Sequence, residues 1–114
     1  MRNISFSNKR SGKYNSKRST YNGKNYDSIL EANYAESLDW RKKAGEIKEI
    51  VPQFKLEINI EGVHICNYYV DFKVVLFDDT IEYHEVKGFE TDLWRLKWRL
   101  AHAIYGTEKF VLIK

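Results

Sequence analysis

Cysteine is almost missing from this chain. Cys66 stands alone among 114 residues, which excludes an internal disulfide framework and fits a reducing compartment. Proline occurs once, at Pro52. No apolar run approaches the roughly 18 residues that cross a bilayer, and the N-terminus lacks the apolar core of a secretory leader. A cytoplasmic protein with no membrane partner is therefore expected. Collagen, coiled coil, membrane span and disulfide scaffold are all excluded. Acid is missing locally too: residues 1–24 hold no Asp or Glu but carry Arg2, Lys9, Arg10, Lys13, Lys17, Arg18 and Lys24.

What is present is a small globular domain with an asymmetric charge. Hydrophobic residues make up 43% and aromatics 15%, too apolar for a disordered chain. Twelve of the nineteen basic residues remain after residue 24, against all sixteen acids, so the last 90 residues carry −4 within a total of +3. Residues 1–20 read as a flexible basic arm and 21–114 as one folded domain. Such an arm meets polyanions, nucleic acid or an anionic membrane surface.

Periodicity orders the domain. Ser28-x-x-Glu31 is a capping box and Gly45 a stop, predicting a helix over 28–44 with Leu30, Tyr34 and Leu38 inward. Glu31, Ala35 and Leu38 also share a face, so Glu31 has both a capping role and an inward one open to it. Ile50, Phe54, Leu56, Ile58 and Ile60 fall on alternate positions of a strand, and Glu61-Gly62 is a turn. Residues 63–77 and 80–87 are two more strands, separated by Asp78-Asp79. A second helix over 91–105 ends at Gly106. It carries one stripe of Leu93, Leu96, Leu100 and Ala103/Ile104, and a basic stripe of Arg95, Arg99 and His102. Trp94 and Trp98 read as core. Residues 109–113 form a last strand that lies parallel to one of the others, because it follows a helical crossover. The order is α-β-β-β-α-β: an α/β fold with a mixed four-stranded sheet flanked by two helices.

The chemistry concentrates in Tyr69-Val70-Asp71-Phe72 and Glu85-Val86-Lys87-Gly88. Strand side chains alternate, so Glu85 and Lys87 share a face. A carboxylate holds a hard cation such as Mg²⁺, an ammonium beside it orients water, and Asp71 on the neighbouring strand supplies the second carboxylate. This makes a geometric demand. A two-residue turn at Asp78-Asp79 puts Asp71 opposite Val86, facing away from Glu85. A three-residue turn or a bulge puts it opposite Lys87, on the right face. Asp-Asp is not the Asn-Gly type that enforces two residues, so the longer turn or a bulge is expected. His84 points to the face opposite Glu85 and is no ligand. His64 and Cys66 are too few for zinc.

An acid on a first helix, then Asp, then Glu-x-Lys on adjacent strands, resembles the PD-(D/E)XK nuclease superfamily with its restriction-endonuclease-like core. The chain is more closely similar to small phage-encoded nuclease-like proteins long grouped as a domain of unknown function. The matching elements are Tyr21-Asn22-Gly23 through Tyr26-Asp27-Ser28 to Glu31-Ala32, then Lys43 to Ile47, Pro52-Gln53, Val70-Asp71-Phe72 and Glu85 to Gly88. Holliday-junction resolvases and the 5′-cutting subunit of Tn7-like transposases have a similar nuclease domain.

The resemblance implies a Mg²⁺-dependent endonuclease, with Mn²⁺ substituting, that leaves 5′-phosphate and 3′-hydroxyl ends on DNA. It implies Asp71, Glu85 and the Val86 carbonyl as metal ligands and Lys87 as the catalytic lysine, with Glu31 completing or flanking the set. Arg10, Lys13, Lys17, Arg18, Lys24, Arg95, Arg99 and Gln53 are the candidate DNA contacts. A homodimer cutting branched DNA inside a phage-infected bacterium is the expected setting. The alternatives are a nuclease subunit dependent on a phage or transposition partner, a non-catalytic DNA-binding module, and a structural protein with surface charges only.

Overall fold

The computed structural model describes residues 19–21, 24–26 and 28–114. Arg10, Lys13, Lys17 and Arg18, and with them nearly all of the basic arm, lie outside the described residues, as does the Lys24 side chain. Two compact units divide the chain, Met1–Trp40 and Arg41–Lys114.

In the first unit, β1 (Ser19–Tyr21) and β2 (Lys24–Tyr26) pair antiparallel from Ser19↔Tyr26 to Tyr21↔Lys24. This hairpin is not among the expected elements, although Asn22-Gly23 between two short strands is the strongest short-range hairpin signal there is. Helix α1 (Ile29–Lys43) begins as expected: the Ser28 hydroxyl accepts the Glu31 N–H at 3.0 Å. Its buried residues are Glu31, Ala32, Ala35 and Leu38. Leu30, expected inside, is exposed. The stripe is narrower than expected because two alanines fill it, and the buried acid takes the place of the leucine.

The second unit contains the end of α1, closed by Gly45 with φ 89°. The Glu46 N–H reaches Arg41 O and the Gly45 N–H reaches Lys42 O, both at 3.0 Å, the pattern that satisfies a helix's last carbonyls. The strands β3 (Ile47–Ile60), β4 (Val63–Leu76), β5 (Ile81–Val86) and β6 (Phe110–Ile113) form one mixed sheet in that spatial order. The first three are antiparallel neighbours; β6 runs parallel to β5, as the crossover required. Glu61 and Gly62 both take left-handed φ, 53° and 81°, which matches the twist of a two-residue hairpin.

Helix α2 (Asp92–Tyr105) is the crossover. The Thr91 side chain accepts the Trp94 N–H at 3.1 Å and starts it. The core holds Leu56 and Ile58 of β3, Tyr68 and Val70 of β4, Tyr83 of β5, and Trp94 and Ala101 of α2, with Trp98 and Tyr105 packed against them. The Tyr105 hydroxyl donates to Glu57 O and Lys97 Nζ to Asn67 O, tying the helix to both strands of the long hairpin. Of the leucine stripe only Leu100 packs against this core: Leu93 and Leu96 are 62% and 55% exposed and Ile104 41%. The tryptophans win because two indoles at i, i+4 bury more apolar area than two leucines, and Ala101 lets the helix approach closely. Among the described residues no helix is long and apolar enough to cross a membrane.

Candidate functional site

The β4–β5 connection decides where the acids meet. Its loop has three residues, Phe77–Asp79: the Leu76 N–H donates to Thr80 O and the Asp79 N–H to Leu76 O, each at 2.9 Å. Asp79 takes φ 69°, and Asp78 Oδ1 accepts the Thr80 N–H at 3.0 Å, which explains an Asp-Asp pair where Asn-Gly would be usual. The ladder runs from Val75↔Ile81 to Phe72↔His84. Continued by one residue it sets Asp71 opposite Glu85. The turn has the expected length but not the expected register: the loop takes in Phe77 rather than Thr80, so Asp71 does not face Lys87.

A second irregularity sits at the same level. The β3–β4 ladder passes from Pro52↔Phe72 to Phe54↔Val70, stepping over Gln53 and Asp71, and Gln53 has φ 50°. The strands change face there. Lys73 Nζ lies 4.6 Å from the centroid of the Phe54 ring, and Phe54 stacks on Tyr83 at 6.2 Å, so Lys73 is on the α2 side. Val70 and Tyr68 also belong to the α2-side core. Strict alternation forbids Val70 and Lys73 from sharing a side; the break at Gln53 and Asp71, where one residue of each strand leaves the ladder and the register is unchanged on either side, allows it. Ile50 pairs with Val74, and Val74 with Glu82, so Ile50 lies on the other face from Phe54 and the five apolar positions of β3 do not form one stripe.

Asp71, left out of the β3–β4 ladder, accepts a hydrogen bond from a backbone amide. Lys87 N–H donates to Ile113 O of β6 at 2.9 Å, so the preceding amide, on Val86, points the other way, toward β4. Asp71 Oδ2 accepts it at 2.8 Å. Gln53 Nε2 donates to Asp71 Oδ1 at 3.3 Å. Asp71 is 7% exposed and Glu85 3%. Two carboxylates this dry need donors and positive charge around them. Glu85 Oε1 accepts the Tyr68 hydroxyl at 2.7 Å, and Glu85 Oε2 lies 3.7 Å from Lys87 Nζ. That ammonium rests 5.2 Å from the centroid of the Trp94 ring. Burial first, then the Glu85 charge and hydrogen bond, push the Tyr68 phenol well above its ordinary 10.0, with Asp71 adding to the rise. The phenol therefore stays protonated and keeps its donor, and both carboxylates are close enough for it to feel their charge.

Asp71, Glu85, Lys87, Val86 and Gln53 thus come together at one place on the sheet. His84 faces away: it is 2% exposed, its Nε2 lies 2.9 Å from Glu82 Oε1, and burial lowers its pKa against the pull of Glu82. His64 is exposed while Cys66 packs against the core, so they do not converge. The basic stripe of α2 is broken up. Arg95 is held by Asp92 at 2.8 Å and Glu90 at 3.3 Å, and His102 packs between the rings of Trp98 and Phe110, 4.5 Å from each. Arg99 is exposed. Glu31 is buried in the first unit. Among the described residues no three His, Cys, Asp or Glu side chains gather as a metal cage.

Sequence reasoning misses Tyr68. Alternation from Asp71 selects Tyr69, two residues back, but the change of face at Asp71 turns Tyr68 to the carboxylates and leaves Tyr69 42% exposed.

A family model described as protein of unknown function (DUF1064) matches residues 11–113, and the chain belongs to that family. No curated protein and no solved structure matches it.

Proposed function

We propose that this member of the family is a metal-dependent endonuclease that hydrolyses phosphodiester bonds in DNA, leaving 5′-phosphate and 3′-hydroxyl ends. The observation that carries the reading is the meeting of two nearly dry carboxylates, Asp71 and Glu85, at the end of the β4–β5 ladder, with Asp71 bonded to the Val86 amide and Lys87 beside Glu85. A fold that needed only stability would have no use for that pair, because bringing two like charges out of water is costly.

The donor set fits a hard divalent cation. Mg²⁺ is held through one or two carboxylates while keeping several waters, so it needs no cage of three protein side chains, whereas a closed zinc site does. Asp71 and Glu85 would hold it, with the Val86 carbonyl as a third oxygen. When bound there, Mg²⁺ or Mn²⁺ supplies water activation and neutralises charge on the phosphate. The chain's own groups do the positioning. The Val86 amide and Gln53 aim Asp71. Lys87, its ammonium over the Trp94 ring, offers N–H donors to the attacking water or the phosphate. The basic residues before Ser19 add sequence-independent affinity for the DNA backbone. A body this small leaves little room for a sequence-reading module, which favours branched DNA cut by a homodimer, in a phage setting, alone or with a protein partner.

The test is cleavage of a labelled four-way junction and a matching linear duplex in Mg²⁺, Mn²⁺, Ca²⁺ or EDTA. Cutting in Mg²⁺ or Mn²⁺ that Asp71→Ala and Lys87→Ala abolish is the expected result. DNA that is bound but uncut, whatever the metal and in both variants, overturns the catalytic reading in favour of a binding module.

A further inference from the structure

We propose that Tyr68 is a specificity-determining residue of this site, fixing how Glu85 meets a cation and so selecting small octahedral ions over larger ones; the inference rests on the metal-dependent reading above. Tyr68 is 4% exposed and Glu85 3%, so little bulk water competes for their 2.7 Å hydrogen bond. The bond engages Oε1. Oε2 is the oxygen beside Lys87, at 3.7 Å. Turning both oxygens onto one ion would make Oε1 share its electron density between the ion and the phenol and weaken the bond in a dry place, where a weakened polar contact is expensive.

A carboxylate held by one oxygen suits Mg²⁺ and Mn²⁺, which demand near-octahedral geometry and keep their waters. Ca²⁺ takes more ligands and accepts carboxylates through both oxygens. Removing the hydroxyl loosens the hold on Oε1. The second oxygen then becomes available as a ligand at a lower cost, and the balance moves toward Ca²⁺. Tyr68 would then act through Glu85, without touching substrate.

The test is calorimetric titration of the full chain with Mn²⁺ and with Ca²⁺, in wild type, Tyr68→Phe and Asp71→Ala. Tyr68→Phe is expected to raise the ratio of Ca²⁺ to Mn²⁺ affinity by about tenfold, the size of one charge-assisted hydrogen bond. The ratio is internal to each preparation, so a partly unfolded sample loses stoichiometry for both ions and leaves it unmoved. Full-stoichiometry binding of both ions with an unchanged ratio in Tyr68→Phe overturns the role of Tyr68 and leaves the metal site standing. Wild type that binds no Mn²⁺, or binds it as well after Asp71→Ala, overturns the metal reading and this inference with it.

Discussion

Gln53 and Asp71 interrupt their two strands at the same level. Gln53 adopts a left-handed φ of 50° on β3, and its Nε2 donates at 3.3 Å to Asp71 Oδ1 at the break in β4. Each irregularity needs the other. Asp71 leaves the regular alternation, and the turned backbone of Gln53 lets β3 follow while the ladder resumes on either side in the same register. The result is a carboxylate facing the neighbouring amide of Val86 instead of solvent.

That strain is measurable. Left-handed backbone costs an L-residue about 1–2 kcal/mol and a β-branched one more, while glycine adopts it freely. Gln53→Gly is expected to be near neutral in urea unfolding, since relief of the backbone offsets the lost side-chain bond. Gln53→Val is expected to cost about 2 kcal/mol. If the two variants unfold at the same midpoint, the left-handed φ is not what the position selects for.

His84 makes stability depend on pH. Burial lowers its pKa from 6.5, with Arg41 pushing the same way and Glu82 opposing. A base with a depressed folded pKa binds fewer protons when native than when unfolded, so stability rises with pH through the interval between the two pKa values and falls as pH drops below about 6.5. Unfolding midpoints of wild type should therefore fall from pH 7 toward pH 5, and His84→Gln should remove part of that slope. An equal slope in both proteins assigns it to other groups.

Ala101 is the most deeply buried residue of α2. It has 0% exposure in the core that also contains Trp94. Ala101→Leu should lower stability by about 1–3 kcal/mol through overpacking. Leu96→Ala, on the exposed flank, should change it by no more than about 0.5 kcal/mol. Thermal melts of the two variants separate the tryptophan face from the leucine face, and the reverse order would return the leucines to the core.

The N-terminal charge has its own readout. Residues 1–18 carry Arg2, Lys9, Arg10, Lys13, Lys17 and Arg18. A chain starting at Ser19 should bind duplex DNA more weakly, and the slope of log affinity against log salt should flatten by about 0.9 for each phosphate no longer neutralised. Fluorescence anisotropy at several salt concentrations gives both quantities. An unchanged slope would place the DNA-binding charges elsewhere on the chain.

The sequence by itself determined the element order and most boundaries. Ser28, Gly45, Glu61-Gly62, Thr91 and Gly106 act locally, through caps and positive φ, and each stands where an element begins or ends. It also marked residues that the fold brings together: an aspartate inside an apolar strand and a Glu-x-Lys on the next are visible without coordinates. The hairpin of β1 and β2 was written there as well, in Asn22-Gly23. What only tertiary structure decided were the faces. A strand's side chains alternate with period two, so one extra or displaced residue reverses everything beyond it. The loop at Phe77–Asp79 is such a displacement and set Asp71 opposite Glu85 rather than Lys87; the change of face at Gln53 and Asp71, where both strands leave the ladder in an unchanged register, turned Tyr68 rather than Tyr69 to the carboxylates. On α2, leucines and tryptophans both made apolar stripes, and the choice lay with the shape of the sheet surface, where two stacked indoles and a close-approaching alanine fill the space better.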